Sequence, residues 1–97
     1  MEERNRSNRS KKSKGEKERK RGNKYFAKGK YPKAMEAYFE SLKNLPHDIR
    51  TLNNMALVSL RMGNVEDSID FCERSLLIDP SNPKVRERRY NIIVQRC

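Results

Sequence analysis

Residues 22–46, GNKYFAKGKYPKAMEAYFESLKNLP, and residues 56–80, ALVSLRMGNVEDSIDFCERSLLIDP, carry the same punctuation 34 positions apart. Gly29 matches Gly63, Met35 matches Ile69, Ser41 matches Ser75, Leu42 matches Leu76 and Pro46 matches Pro80. Each stretch reads as two apolar-periodic runs at helical spacing, joined through a glycine and closed by a proline. Glycine adopts the left-handed conformation that ends a helix without steric cost, and proline cannot continue one. A 34-residue unit of two helices and a turn is therefore repeated, and each copy needs a neighbour to bury its apolar face.

Working outward from these stretches, helical periodicity predicts five segments, 16–28, 31–44, 49–62, 65–78 and 83–96, with no alternating strand pattern. Asp48 and Asn82 stand where N-caps belong, and Pro83 falls at a first helical position, where its missing N–H is harmless. In the last segment Val85, Tyr90 and Ile93 are expected on an inner stripe, with Arg86, Arg89 and Arg96 on the outer face. Residues 1–21 hold ten basic and four acidic side chains and Met1 as their one apolar residue. With nothing to bury, residues 1–14 are expected to form a basic disordered tail.

The chain has 97 residues, a net charge of +10 and 34% hydrophobic residues, enough for one small domain and too little for a large enzyme. No apolar run approaches the roughly 18 residues of a membrane helix, and no hydrophobic stretch follows the N-terminal positive charges. A soluble protein of the cytoplasm is expected, with no membrane partner; a nuclear localisation signal is one reading of the basic run. Cys72 sits in an apolar-periodic segment and reads as a core thiol, while Cys97 is the last residue, so neither has a metal-ligand or disulfide spacing. His47, between Pro46 and Asp48, reads as a solvated turn residue. No nucleophile pairs with it and no glycine-rich phosphate loop occurs, so neither an enzyme nor a cofactor or metal site is expected.

The 34-residue helix-turn-helix period resembles the tetratricopeptide family. The family's pattern of Gly, Tyr, Ala, aromatic, small residue and Pro falls on Gly22, Tyr25, Ala34, Tyr38, Ser41 and Pro46, and more loosely on Leu52, Ala56, Ser68, Cys72, Ser75 and Pro80. Glu18 departs from it, standing where the family usually has an apolar residue. The small residues Gly22, Ala34, Ala56 and Ser68 are read as the positions that let paired helices approach closely. The resemblance implies an all-α fold: tetratricopeptide repeats at 15–48 and 49–82 and a capping helix at 83–97, wound as a right-handed superhelical solenoid.

Arg19 and Asn23, Asn54, and Lys84 and Arg88 lie on the three segments that line the groove in this family, and residues four apart share a helix face. Three cations and two amides suit the binding of carboxylates by charge-assisted hydrogen bonds. The set resembles the dicarboxylate clamp of chaperone-binding tetratricopeptide domains, whose pattern at these repeat positions is Lys, Asn, Asn, Lys, Arg. That resemblance implies a co-chaperone adaptor that grips the C-terminal Glu-Glu-Val-Asp of heat-shock protein 90, or of heat-shock protein 70, and delivers it to a client or assembly complex. Asn23, Asn54 and Lys84 would then hold the terminal residue, with Arg88 on the peptide backbone or an adjacent carboxylate. Arg19 replaces the usual lysine, and its planar fork favours bidentate contacts over a point-charge contact. Arg61 could reach a glutamate, and Phe26, Leu57 and Leu60 either frame a peptide side chain or pack as core.

Two other readings stay open. The basic residues 4–21 could contact nucleic-acid phosphates or another anionic surface; without interleaved aromatics specific single-strand recognition is poorly supported, and a solubilising tail or a localisation signal is expected ahead of nucleic-acid contact. Alternatively, the repeats could be a scaffold for a different acidic C-terminus.

Overall fold

Helix boundaries in the computed structural model follow the expected punctuation closely for the last four helices, whereas the first begins well before the expected residue 16. The structure describes the backbone of residues 2–96 and the side chains of residues 10–94. Five helices follow one another: α1 (Glu2–Ala27), α2 (Tyr31–Asn44), α3 (Ile49–Arg61), α4 (Val65–Ile78) and α5 (Pro83–Arg96). No strand occurs among the described residues, and none of their helices is long and apolar enough to cross a membrane. The chain divides into two compact units, residues 1–48 and 49–97. Cys97 and the side chain of Arg96 lie outside the described residues.

The two interhelix turns are built alike. Gly29 and Gly63 adopt φ of 74° and 81°, the left-handed region that a β-carbon would penalise. At the first turn Lys30 N–H donates to Tyr25 O at 2.9 Å and Gly29 N–H to Phe26 O at 2.9 Å. At the second, Asn64 N–H donates to Ser59 O at 2.8 Å and Gly63 N–H to Leu60 O at 3.0 Å. These paired bonds are a Schellman motif, which satisfies the last carbonyls of α1 and α3. Ahead of α5, Asn82 caps as expected, its Oδ1 accepting from Val85 N–H at 3.3 Å.

In the first unit α1 packs on α2 with little apolar surface of its own. Among the described residues its buried positions are Gly15, Arg19 and Gly22, while α2 supplies Ala34, Ala37, Tyr38, Ser41 and Leu42. A Cβ added at Gly22 would lie 2.5 Å from Tyr38 Cε1, and one at Gly15 would lie 2.5 Å from the Leu45 side chain. The helices therefore touch at backbone distance, and Ser41 Oγ donates to Gly15 O at 2.7 Å. In the second unit α3 and α4 bury Leu52, Met55, Ala56, Val58, Ile69, Phe71 and Cys72. Ser68 Oγ donates to Ala56 O at 2.7 Å, and Ser75 Oγ to Asn53 Oδ1 at 3.0 Å.

Two expectations are corrected. Residues 2–14, read as a disordered tail, continue α1 without a break. Lys, Arg and Glu are good helix formers, and extending a helix already nucleated by packing against α2 costs far less than starting one. On α5 the inner stripe is Val85 and Ile92, at 0% and 5% exposure, with Ile93 half-buried. Tyr90, expected there, is 66% exposed. Val85 and Ile92 are seven residues apart, two helical turns, whereas Tyr90 falls well round the helix from both. Arg86 is exposed, but Arg89 is half-buried and turns to α4, where Nη2 lies 3.0 Å from Glu73 Oε1. Glu18, the departure from the family pattern, is half-buried and pairs with Arg21 at 2.8 Å.

Replacing Gly22 with alanine improves helix propensity by about 1 kcal/mol but drives a methyl into a buried ring, at a cost of about 1–3 kcal/mol. The ring cannot swing away, because Tyr38 Oη is bonded to Asn23. Gly22→Ala should lower stability in urea denaturation, and the loss should shrink or reverse in a Tyr38→Leu background. A second expectation concerns the thiol of Cys72, which burial raises above its ordinary value against the opposing charges of Arg88 and Arg89. The unfolded chain then deprotonates first. The stability this contributes is present below the ordinary thiol value of about 8.5 and is lost as pH rises through the raised folded value. Between pH 7 and 10, a Cys97→Ser protein should lose more stability than Cys72→Ala/Cys97→Ser.

Candidate functional site

The candidate residues of the first unit stand on one face of α1, at spacings of four and three: Arg19, Asn23 and Phe26. Asn23 is exposed, and its Oδ1 accepts from Tyr38 Oη at 2.6 Å. This bond fixes the orientation of the amide, since an oxygen that accepts from a phenol leaves the NH₂ as the other end of the group. Phe26 is half-buried with its ring centroid 5.8 Å from that of Tyr31 and the planes 59° apart, a tilted aromatic contact between α1 and α2. Arg19 is where the structure departs furthest from expectation. Its side chain is 10% exposed, and Nη1 lies 3.1 Å from Asp48 Oδ2, itself on a side chain 7% exposed. The guanidinium expected to face a ligand carboxylate is engaged by one from its own chain.

In the second unit the structure brings Leu60, Lys84 and Arg88 to one open cavity of about 360 Å³. Lys84 is exposed, Arg88 and Leu60 half-buried. Arg88 Nη1 donates to the carbonyl of Asn53 at 3.3 Å, so the guanidinium reaches from α5 to the backbone of α3 one residue before Asn54. Asn53 is itself tied to α4 through Ser75, and Asn54 is half-buried. Leu57 is half-buried and Arg61 exposed at the end of α3, and neither lines the cavity. Three lining residues were missed by the sequence reading: Glu87, Asn91 and Ile92. Lys84, Arg88 and Asn91 follow the spacing of four and three that Arg19, Asn23 and Phe26 show, which was the available signal for Asn91.

The cavity of the second unit thus sets an ammonium, a guanidinium and the Asn91 amide beside the apolar Leu60 and Ile92, with the Glu87 carboxylate also in its lining and Asn54 outside it; the ammonium, guanidinium and amide are donors suited to carboxylates. Among the described residues there is no group of three or more His, Cys, Asp or Glu side chains able to hold a metal ion. The Arg19–Asp48 pair is a structural tie whose breaking leaves an uncompensated buried charge, typically about 3–5 kcal/mol. Asp48→Ala should therefore destabilise the chain strongly in urea denaturation, while Arg19→Met combined with Asp48→Leu, which removes both charges, should recover most of the loss.

No family model matches the chain. It is 34% identical over 74 residues to Hsp70-Hsp90 organizing protein 3 of Arabidopsis thaliana, covering 76% of this chain and 13% of that protein. It is 35% identical over 72 residues to sperm-associated antigen 1 of Mus musculus, covering 74% of this chain and 8% of the relative. The chain thus spans a small fraction of the length of the curated relatives it matches. Among solved structures it is similar to the second TPR of Spaghetti (RPAP3) bound to the HSP90 peptide SRMEEVD, with a TM-score of 0.84 and 26% identity over 92% of this chain and 82% of that one. It is also similar to the TPR2B-domain:pHsp70 complex of yeast Sti1, with a TM-score of 0.79 and 28% identity over 86% of this chain and 66% of that one. A 34-residue period, two hairpins closed by matched glycine turns and a fifth helix, together with these likenesses, make the chain a tetratricopeptide-repeat domain similar to those of the Hsp70-Hsp90 organizing proteins.

Proposed function

We propose that this chain is a chaperone-adaptor module that binds the free C-terminal Glu-Glu-Val-Asp peptide of HSP90, and of HSP70, in the manner of a dicarboxylate clamp, and brings the chaperone to a client or assembly complex. The observation that carries the reading is the convergence of Lys84, Arg88 and Leu60 on one cavity beside the α3 segment of Asn54. It is supported by the similarity to tetratricopeptide domains solved with HSP90 and HSP70 peptides.

A C-terminal aspartate presents two carboxylates a few bonds apart. Asn23, Asn54 and Lys84 are the proposed contacts to that residue, with Arg88 holding the peptide backbone or the next carboxylate by charge-assisted hydrogen bonds. Arg19, whose guanidinium is occupied by Asp48, acts in this proposal by fixing α1, and so Asn23, rather than by touching the peptide. Leu60, in the cavity lining, is the proposed apolar wall for the valine, and Arg61, exposed at the end of α3, is the proposed contact to an upstream glutamate. Phe26 and Leu57 are assigned to packing. Binding by preformed hydrogen bonds requires no catalytic group, and the proposed role is non-enzymatic and cytoplasmic.

Calorimetry with a free-acid Met-Glu-Glu-Val-Asp peptide should show micromolar binding, about −8 kcal/mol. Hydrogen bonds to a charged group contribute about 1.5–3 kcal/mol each, so the C-terminally amidated peptide should bind at least about tenfold more weakly. Asn54→Ala with Lys84→Ala should abolish binding while circular dichroism shows the fold intact. Absence of free-acid binding to folded protein would sink the proposal, and binding unaffected by amidation would point to an internal acidic motif instead.

A further inference from the structure

The face of α1 turned away from α2 carries a second pattern. Lys14, Lys17, Arg21 and Lys24 of α1, with Lys28 in the turn just past its end, are spaced three, four, three and four residues apart, so at 3.6 residues per turn, with Lys28 N–H still bonded to Lys24 O at 3.3 Å, they form one stripe. The buried positions Gly15, Arg19 and Gly22 lie on the other side of the helix. All five stripe residues are exposed, and the stripe runs about 21 Å at 1.5 Å per residue. In linear order these cations are diluted by Ser, Gly and Glu; the helix gathers them. Arg21 is offset by Glu18 at 2.8 Å, whereas Lys14, Lys17, Lys24 and Lys28 have no acidic partner among the described residues. Tyr25 adds a sixth cation, since Arg21 lies 5.6 Å and Lys33 of α2 lies 5.8 Å from its ring centroid.

We propose that this outer face of α1 docks the phosphate backbone of a nucleic-acid duplex. Charge complementarity is the first argument: a straight row of unneutralised ammonium groups on a chain of net charge +10 fits a rigid polyanion with one charge per roughly 1.7 Å. An α-helix also has the width that the major groove admits. The stripe's flanks exclude the other polyanions one by one. Ser10, Ser13, Glu18 and Lys20 border it, so no apolar face is available to enter a membrane. Tyr25, the aromatic at its edge, is already engaged by two cations, which leaves no stacking platform for single strands. Recognition is therefore through phosphates and independent of base sequence.

The test is fluorescence anisotropy of the full chain with a labelled 20-base-pair DNA duplex, run beside the single strand of the same length and vesicles containing phosphatidylserine. Duplex binding at 50 mM salt is expected, with log K falling against log salt at a slope of about −3.6 for four contacted phosphates. Replacing Lys14, Lys17, Lys24 and Lys28 with glutamine should weaken binding by tenfold or more, on the order of the salt-dependent term itself. A control carrying Lys30→Gln, Lys43→Gln, Arg50→Gln and Arg74→Gln, all exposed positions, removes the same net charge and should lose much less. The proposal is overturned by no duplex binding at 50 mM salt, by equal losses in the two quadruple variants, or by single strands or vesicles binding in preference to the duplex. Because the four lysines are outside the proposed peptide contacts, peptide binding by the stripe variant should be unchanged, so the two functions succeed or fail separately.

Discussion

Two absent side chains, at Gly15 and Gly22, set how α1 meets α2. With no large apolar residue among the buried positions described for it, α1 has little hydrophobic area with which to hold a partner, and must gain its contact from proximity instead. At backbone distance the Tyr38 ring fills the space over Gly22 and its hydroxyl reaches Asn23, while Ser41 reaches the Gly15 carbonyl. Arg19, between the two glycines on the same face, is drawn under cover and needs Asp48 to remain there. Arg19 and Asn23, two of the three α1 residues of the candidate site, thus take their places from one close helix contact.

The 34-residue offset shows how the second unit meets the same requirement differently. Gly22 and Tyr38 correspond to Ala56 and Cys72, and all four are buried. Volume taken from the first helix at one repeat is restored on the second helix, and reversed at the next, as close packing demands. Position 19 corresponds to Asn53, which accepts from Ser75 and, through its carbonyl, from Arg88. A buried charge pair in one repeat has an amide in the other, and Arg88 bonds to the backbone carbonyl at that position while the amide side chain is engaged by Ser75.

What local chemistry decides was readable from the sequence. Gly29, Gly63, Pro83 and Asn82 each act on residues within a turn of themselves, and the structure shows both glycine turns and the Asn82 cap in place. The Arg19–Asp48 pair was hidden because it joins residues 29 apart and because an arginine at a clamp position reads as a ligand group until its burial is known. Tyr90 and Ile92 were exchanged because both suit a helical stripe, and only the facing helix decides which one goes inside. The helicity of residues 2–14 was missed for a different reason: composition shows that a segment has nothing to bury, but not that a packed neighbour has already met the cost of nucleation. Glu87 gave no signal in the sequence and Asn91 only its spacing from Lys84 and Arg88; both enter through the cavity that α5 forms around those two cations.

Both surfaces of this small domain are read as anion sites, and what separates them is the kind of donor each uses. Amides and a half-buried guanidinium suit selection of a terminal carboxylate by direction, because a hydrogen bond weakens steeply when its geometry fails. A row of exposed lysines has no such preference, since each is a flexible point charge. Its attraction comes from displaced counterions and is lost as salt accumulates, whereas charges withdrawn from solvent are screened much less. On these two proposals the same formal charge of +10 would serve two different functions, depending on which cations the fold takes out of water and which it leaves in it.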